Sequence, residues 1–331
     1  MAVIAGTTSC DDFLDREPMS SISPETYYST AAQLEANLND EYPNVLPSFG
    51  QWTYGIFGED KGTDNQIEVN ANDRYTQDRW KVPHSESDNW KFERIYRINF
   101  FLSEALPKFG EDMSGSQNTI SGSVATIKHY IGEMYFLRAY EYFKKLQLFG
   151  DFPIINQPLA DEMEALREAS KRFPRNEVAR FIISDLDKAY AYMSDVDMAT
   201  TRINKDAAML VKSRVALFEA TWLQNFKGTA FVPGGEGWPG ASLHNNYQYP
   251  SGNLDNEVKY FLEQAVEASK LVADKYKGNL TENTGVLQQS ADDPSNPYFD
   301  MFAQEDLSDV KEVLLWRQYC LLYTSPSPRD R

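Results

Sequence analysis

The chain has 331 residues, a formal net charge of −17 at pH 7, and an aromatic content of 13% that includes 19 Tyr, 19 Phe and 6 Trp. This aromatic content excludes an intrinsically disordered protein, because such chains lack the apolar side chains needed to form a core. The negative charge excludes a nucleic-acid ligand, because phosphate backbones would be repelled, but it leaves neutral ligands such as sugars unaffected.

The first nine residues, 1–9, resemble the end of a secretory signal, since they are apolar and small residues precede Cys10. The pattern predicts a residual signal peptide followed by a lipidated cysteine at Cys10. Thr7 stands where a bacterial lipobox prefers Leu, so the match is partial. The alternative is that Cys10 is an ordinary surface cysteine in a frayed terminus.

Helix signals dominate the chain from residue 23 onward. Ser23 suits the N-cap of a first helix, with Pro24 at the first helical position and apolar residues at helical spacing through Leu38. Gly150 and Pro153 are typical of the end of the longest predicted helix. Further helices are predicted over about 88–107, 121–148, 175–193, 205–225 and 255–276, and a strand is predicted over 311–317.

Weak internal similarity links the long helices. The pattern EVxxFI at 177–182 recurs as EVxxFL at 257–262, and AxxxFxxL at 139–146 resembles AxxxAxxL at 216–223. Both offsets are close to 80 residues, so we predict that a pair of long helices repeats. Small alanines at helix contacts are typical of tetratricopeptide-like packing. Chance similarity between amphipathic helices is the alternative.

Two long loops, 49–87 and 226–254, carry the candidate ligand-binding residues. The C–H face of a sugar stacks on an aromatic ring, while carboxylates, amides and guanidinium groups bind its hydroxyls. Both loops interleave these residue types. The candidate ligand-binding residues are Trp52, Tyr54, Asp64, Asn65, Arg74, Tyr75, Trp80, Trp238 and Tyr247.

Aromatic residues inside predicted helices are assigned to the core instead. A large aromatic side chain at helical spacing packs far more often than it binds a ligand. Arg138 is assigned to a structural pair or a helix-end contact, and for Trp52 and Trp80 packing onto the scaffold stays an open alternative. The residues assigned to packing are Trp90, Tyr135, Phe136, Tyr140, Tyr142, Phe143 and Trp222.

The last twelve residues, 320–331, differ abruptly in composition from the chain before them. They resemble a translated sequencing-adapter or vector scar and are excluded from the fold, together with Cys320. One helical domain is therefore predicted over 10–319.

Motifs for catalysis and metal binding are missing from the sequence. The two cysteines, Cys10 and Cys320, lack the neighbours that a zinc site needs, and only three histidines are available. No phosphate-binding loop, zinc-protease motif or serine nucleophile elbow occurs. We therefore expect no metal, no cofactor and no enzymatic activity.

Several motifs stand in an order that resembles the SusD/RagB family. Residues 10–18 read CDDFLDREP, and residues 90–99 read WKFERIYRIN. Residues 132–140 read GEMYFLRAY, and residues 148–153 read LFGDFP. RNEV at 175–178 and KSRVALFE at 212–219 also fit. The resemblance extends over about residues 10–319, and because family members are usually longer, we expect a C-terminal part of the family fold to be missing.

The resemblance implies an all-α fold of tetratricopeptide-like helix pairs, with long irregular ligand-binding loops and little β structure. It implies a non-catalytic, lipid-anchored glycan-binding protein at the outer-membrane surface, binding starch, another polysaccharide or an oligosaccharide. The implied partner is a SusC-like TonB-dependent transporter, over which the protein acts as a lid. Asp64 and Arg74 match sugar-contacting residues of the family in order along the chain, and Asp11 and Asp12 fit its surface-export pattern.

Three other functions stay open. One is peptide uptake of the RagB type, and another is a helical scaffold that binds a peptide of a partner protein. The third is a glycoside hydrolase with Glu59, Asp60 and Asp64 as its carboxylates.

Overall fold

The computed structural model describes residues 27–48, 65–66, 89–110, 112–194, 198–287, 290 and 292–318. These residues form eight α-helices and one short 3₁₀ helix, Pro239–Ser242. Within them the β structure is limited to isolated bridges such as Phe152 with Phe173. The α-helices are α1 Ala31–Val45, α2 Glu93–Phe109, α3 Val124–Phe149, α4 Met163–Ala169, α5 Arg175–Tyr192, α6 Lys205–Asn225, α7 Leu254–Tyr276 and α8 Pro297–Met301.

Two helix pairs form the centre of the fold. Helix α3 packs against α5, α6 packs against α7, and the contact between α5 and α6 joins the pairs. Helices α1 and α2 each pack against α3 as well. The repeat offset predicted from the sequence relates α3 to α6 and α5 to α7. The structure confirms the predicted all-α, tetratricopeptide-like fold.

The first predicted helix is interrupted after Tyr27, which is itself helical. Residues 28–30 are not helical, and Thr30 caps α1 by accepting a hydrogen bond from the Gln33 backbone N–H at 3.3 Å. The Gln33 side chain in turn accepts from the Thr30 N–H at 3.0 Å, which completes a capping box. The predicted uninterrupted helix through Leu38 is therefore wrong, because backbone hydrogen bonds between Ser121 and residues 29 and 31 hold Thr30 in an isolated bridge. Ser23 lies outside the described residues.

The later helices follow the sequence closely. Helices α5, α6 and α7 begin and end within one residue of the predicted bounds. Helix α3 is capped by the Ser123 side chain and ends before Gly150, whose φ is +68°. Helix α2 begins at Glu93 rather than near residue 88. Trp90, just before it, packs against Phe149 and Phe152, as predicted for a packing residue.

The predicted strand over 311–317 is wrong, because these residues form turns and irregular chain. Trp316 bonds to Thr200 through its backbone N–H at 3.1 Å and through its indole N–H at 2.9 Å. The Asn204 amide donates to the Leu314 carbonyl at 2.6 Å. The partners of Trp316 and Leu314 are individual groups of Thr200 and Asn204 and not a neighbouring strand. No ladder of strand hydrogen bonds therefore forms.

Buried ion pairs connect the helices through the core. Arg138 of α3 binds both oxygens of Asp185 on α5, which confirms the structural pair expected for this arginine. Arg175 binds Glu219, and Arg202 binds Glu133, in the same two-pronged way. The predicted aromatic stripe of α3 is likewise in the core. Its buried members are Tyr135, Phe136, Tyr142 and Phe143, with Tyr140 partly buried.

Candidate functional site

Most of the first predicted ligand loop lies outside the described residues. Only residues 65–66 of the loop 49–87 are described, and Asn65 is exposed. Ligand contact by this loop stays a prediction. The residues assigned a role that lie outside the described part are Cys10, Asp11, Asp12, Trp52, Tyr54, Glu59, Asp60, Asp64, Arg74, Tyr75 and Trp80, together with the segments 1–9 and 320–331.

The second predicted loop, 226–254, is described throughout and folds over the start of α5. His244 Nε2 donates to the Arg172 carbonyl at 2.7 Å. Tyr247 exchanges hydrogen bonds with the Asn176 side chain at 2.9 and 3.1 Å. At the end of the loop, Ser251 accepts from the Arg180 guanidinium at 2.7 Å. The loop is thus fixed to one helix terminus by side-chain contacts along its length.

Aromatic rings form the inner layer of this loop. The Trp238 ring lies 6.0 Å from His244 and 5.6 Å from Tyr247, and the Tyr247 ring lies 5.1 Å from Tyr249. Trp238 is only 5% exposed, so little of its ring face is open to a sugar. Tyr247 is half-buried. Their predicted ligand contacts remain proposals, and the observed role of Trp238 is to hold the loop on the scaffold.

Asp151 receives the buried indole N–H of Trp238. Its Oδ2 accepts from Trp238 Nε1 at 2.7 Å, and its Oδ1 accepts from the Arg175 backbone N–H at 2.9 Å. That N–H belongs to the first turn of α5, where no helical carbonyl is available to accept it. Burial raises the pKa of the Asp151 carboxyl above its ordinary value, although both donors and the Arg172 charge favour the ionised form.

A cavity of about 500 Å³ opens between this loop, the end of α3 and the end of α6. Phe231 is 61% exposed at its wall, and Trp222 is half-buried beside it. The aromatic lining residues are Phe149, Trp222, Phe231 and Trp238, and the polar ones are Gln147, Asp151, Arg172 and Arg175. Accessible ring faces next to amide and guanidinium donors suit a sugar, which needs both.

The charges in this cavity are largely compensated. Arg175 forms hydrogen bonds to both carboxylate oxygens of buried Glu219, at 2.9–3.1 Å, while its guanidinium lies 4.1 Å from the Trp222 ring. Arg172 lies 4.6 Å from the Trp90 ring, and its positive charge partly offsets the rise in the Asp151 pKa that burial causes. A neutral ligand in this cavity would therefore find aromatic contacts and hydrogen bonds, and the electrostatic field there is weak.

Asp151 is the one carboxylate among the described residues that line this cavity. Glycoside hydrolysis uses two carboxyl groups that flank the bond to be cleaved, and both oxygens of Asp151 already accept hydrogen bonds. The arrangement is suited to binding a ligand.

A larger cavity, of about 840 Å³, lies between α1, α3, α6 and residues 312–318. Its walls include Phe136, Tyr140 and Leu210 and are predominantly apolar. Its lining also includes the polar residues Asn39, Glu312, Arg317 and Gln318, but it contains no residue of the predicted ligand loop 226–254.

Among the lining residues of the smaller cavity, Trp238 is the one that the sequence predicted as a site residue, and Asp151, Arg172, Trp222 and Phe231 are among those that it missed. Trp222 was assigned to the core, and it is partly buried there but also forms a wall of the cavity.

Within the part of the chain that the structure describes, no cluster of His, Cys, Asp or Glu fits a metal ion. Among the same residues, no helix combines the length and apolarity required to cross a bilayer.

Repeated helix pairs with a ligand-sized cavity under an irregular loop define a tetratricopeptide-like scaffold. The sequence matches, over residues 12–217, the SusD-like family model described as "Starch-binding associating with outer membrane". This match covers more than half of the chain, so the protein belongs to the SusD/RagB family.

Known relatives carry the same family name. SusD-like protein P25 of Formosa agariphila is 25% identical over 233 residues, which cover 65% of this chain and 41% of the relative. SusD-like protein P2 of the same bacterium is 26% identical over 235 residues, or 67% and 43% of the two chains. The chain therefore spans less than half the length of these relatives.

Solved structures of similar fold were also found. A SusD-like carbohydrate binding protein of Bacteroides fragilis has a TM-score of 0.44 at 16% identity, covering 78% of this chain and 42% of that one. A second SusD-like protein of the same species has a TM-score of 0.42 at 20% identity, covering 64% and 39%.

Proposed function

We propose that this protein is a non-catalytic glycan-binding lipoprotein of the outer-membrane surface. The observation that carries the proposal is the family match over residues 12–217, whose description names starch binding and the outer membrane. The ligand is a starch, another polysaccharide or an oligosaccharide.

The cavity beside the loop 226–254 is the proposed ligand site among the described residues. Phe231 offers an accessible ring, Trp222 a second partly open one, and Gln147 and Arg172 offer hydrogen-bond donors. Its size lies within the range of small-ligand pockets, about 300–1,000 Å³. Ligand contact by the loop 49–87, above all by Trp52 and Trp80, is part of the same proposal.

The partner and the anchor complete the proposal. A lipid on Cys10 holds the protein at the membrane, and a SusC-like TonB-dependent transporter receives the captured glycan, with this protein as its lid. The motif CDDFLDREP at 10–18 supports the anchor. Mass spectrometry of the membrane fraction tests it, since wild-type protein would carry acyl chains that a Cys10→Ser variant lacks.

Affinity electrophoresis and calorimetry against plant, host and microbial polysaccharides test the binding function. We expect retention by at least one glycan, with that glycan recovered at unchanged length after incubation. Binding of peptides alone would favour RagB-type uptake instead. Shortening of the glycan that is lost in Glu59→Gln or Asp60→Asn would show a glycoside hydrolase.

A further inference from the structure

Asp151 stands where three parts of the fold meet: the end of α3, the start of α5 and the loop 226–254. The scaffold fixes its backbone, because the next residue, Phe152, exchanges two backbone hydrogen bonds with Phe173, at 3.2 and 3.1 Å. Its Oδ1 caps the first backbone N–H of α5 at 2.9 Å. The remaining oxygen, Oδ2, is thus held at a defined point facing the loop.

Trp238 connects that oxygen to the cavity wall. Its indole N–H donates to Asp151 at 2.7 Å, and the 3₁₀ helix Pro239–Ser242 begins directly after it. A Cβ on Gly240 would lie 2.2 Å from the Trp238 ring, so the ring and the 3₁₀ helix are in direct contact. Pro239, Gly240 and Leu243 line the cavity. The position of this wall therefore depends on where the indole is held.

We propose that Asp151 is the positioning residue of the ligand site. It acts through Trp238, holding the wall formed by residues 238–243 at the distance from Trp222 and Phe231 that a bound sugar requires. This inference rests on the proposed function, because it concerns the cavity to which glycan binding is assigned.

A double-mutant cycle tests whether the carboxylate acts through the indole. Asp151→Ala removes both acceptors, Asp151→Asn keeps one, and Trp238→Phe keeps a ring but removes the donor. Leaving one buried donor unpaired has a free-energy cost that corresponds to about a tenfold change in an equilibrium constant. We use this factor as the expected loss of affinity for the glycan that the wild-type protein binds. We expect Asp151→Ala and Trp238→Phe each to show a loss of this size, and the double variant to bind no more weakly than Trp238→Phe alone.

Asp206→Ala is the matched control. Asp206 also accepts two side-chain hydrogen bonds, from Lys275 at 2.6 Å and from Tyr276 at 2.7 Å. It lies in the first turn of α6, whereas Trp222 lies 16 residues further along, about 24 Å away at the rise of a helix. Its loss perturbs packing without touching the cavity, so the affinity should stay within twofold of wild type.

Hydrogen exchange of the Trp238 indole gives a readout without ligand. In ¹⁵N-tryptophan NMR spectra the Trp238 signal is identified by its loss in Trp238→Phe, and it should exchange slowly in wild type and at least tenfold faster in Asp151→Ala. Circular dichroism shows which variants are folded. If Asp151→Ala is not folded, Asp151→Asn replaces it in both measurements.

Each outcome decides a different point. Unchanged affinity in a folded Asp151→Ala protein, or additive losses in the cycle, would overturn the positioning role. If the wild-type protein binds no glycan, the proposed function and the positioning role fail together. If the Trp238 indole still exchanges slowly in Asp151→Ala, Asp151 does not hold Trp238 in place, and even the structural link between this carboxylate and the loop is absent.

Discussion

Arg138 and Asp185 form a two-pronged ion pair in the core, with Nε and Nη2 of the arginine 2.6 and 2.8 Å from the two carboxylate oxygens. The same arginine donates to Asn99 at 2.9 Å and to the Asn156 carbonyl at 3.2 Å. One buried side chain therefore links α3 with α2, with α5 and with the segment that follows Pro153.

Removing one partner of this pair should destabilise the fold strongly. We expect Asp185→Asn to lower the free energy of unfolding by about 3–5 kcal/mol, because the guanidinium would be left buried without its counter-charge. Urea denaturation followed by circular dichroism measures the change. Lys259→Ala, which breaks an exposed pair with Glu263, should cost less than about 1 kcal/mol. Equal losses in both variants would contradict the structural role of the buried pair.

Glu257 should make the stability depend on pH. Burial alone would raise the pKa of this carboxyl, but hydrogen bonds from Arg180, Asn176 and Ser251 outweigh burial and lower the pKa below its ordinary 4.5. A carboxyl with a lowered pKa in the folded state stabilises the fold above its unfolded pKa and loses that effect as the pH falls through the folded value.

We therefore expect Glu257→Gln to be less stable than wild type at pH 7, with the difference shrinking as the pH falls below 4.5. Urea denaturation at a series of pH values measures this. The exposed Glu263 provides the control, since Glu263→Gln should change the stability at pH 7 by less than about 0.5 kcal/mol. A constant difference between wild type and Glu257→Gln at all pH values would refute the prediction.

Gly150 should not tolerate a side chain. Its φ of +68° with a ψ of −101° is a backbone conformation that residues with a Cβ rarely adopt. We expect Gly150→Ala to destabilise the fold by about 1–3 kcal/mol. Gly278→Ala is the control, because no atom lies within 4 Å of the added Cβ, and it should be neutral or slightly stabilising. Thermal unfolding of both variants distinguishes backbone strain from a general effect of the substitution.

Sequence reasoning succeeded where local signals and packing agree. The bounds of α5, α6 and α7 follow from apolar spacing alone, and the Asn204 and Asn253 caps fit them. It failed at Thr30, where an isolated bridge to Ser121 interrupts a helix that the local spacing of apolar residues predicts as continuous. It failed again over 311–317, where β-branched and aromatic residues pack without a partner strand.

The sequence could predict which loop contributes to the site, but it could not predict which side chains meet there. Sequence patterns identified the loop 226–254 as a candidate, yet the partner of Trp238 lies 87 residues earlier in the chain. Nothing in local spacing places Asp151 beneath that indole. Trp222 shows the same limit, because helical periodicity cannot distinguish a ring that packs on all sides from one that also lines a cavity.

Calorimetric titration of Phe231→Ala with the best-retained glycan tests the central claim, glycan binding in the described cavity, most directly. The ring is 61% exposed, so its loss should change the stability by less than about 0.5 kcal/mol. Phe302, 70% exposed on a different segment, supplies the matched control. We predict about a tenfold weaker affinity for Phe231→Ala, equivalent to about 1.4 kcal/mol, and unchanged affinity for Phe302→Ala. Wild-type affinity in Phe231→Ala and in Trp222→Ala would place the glycan outside this cavity and contradict the account.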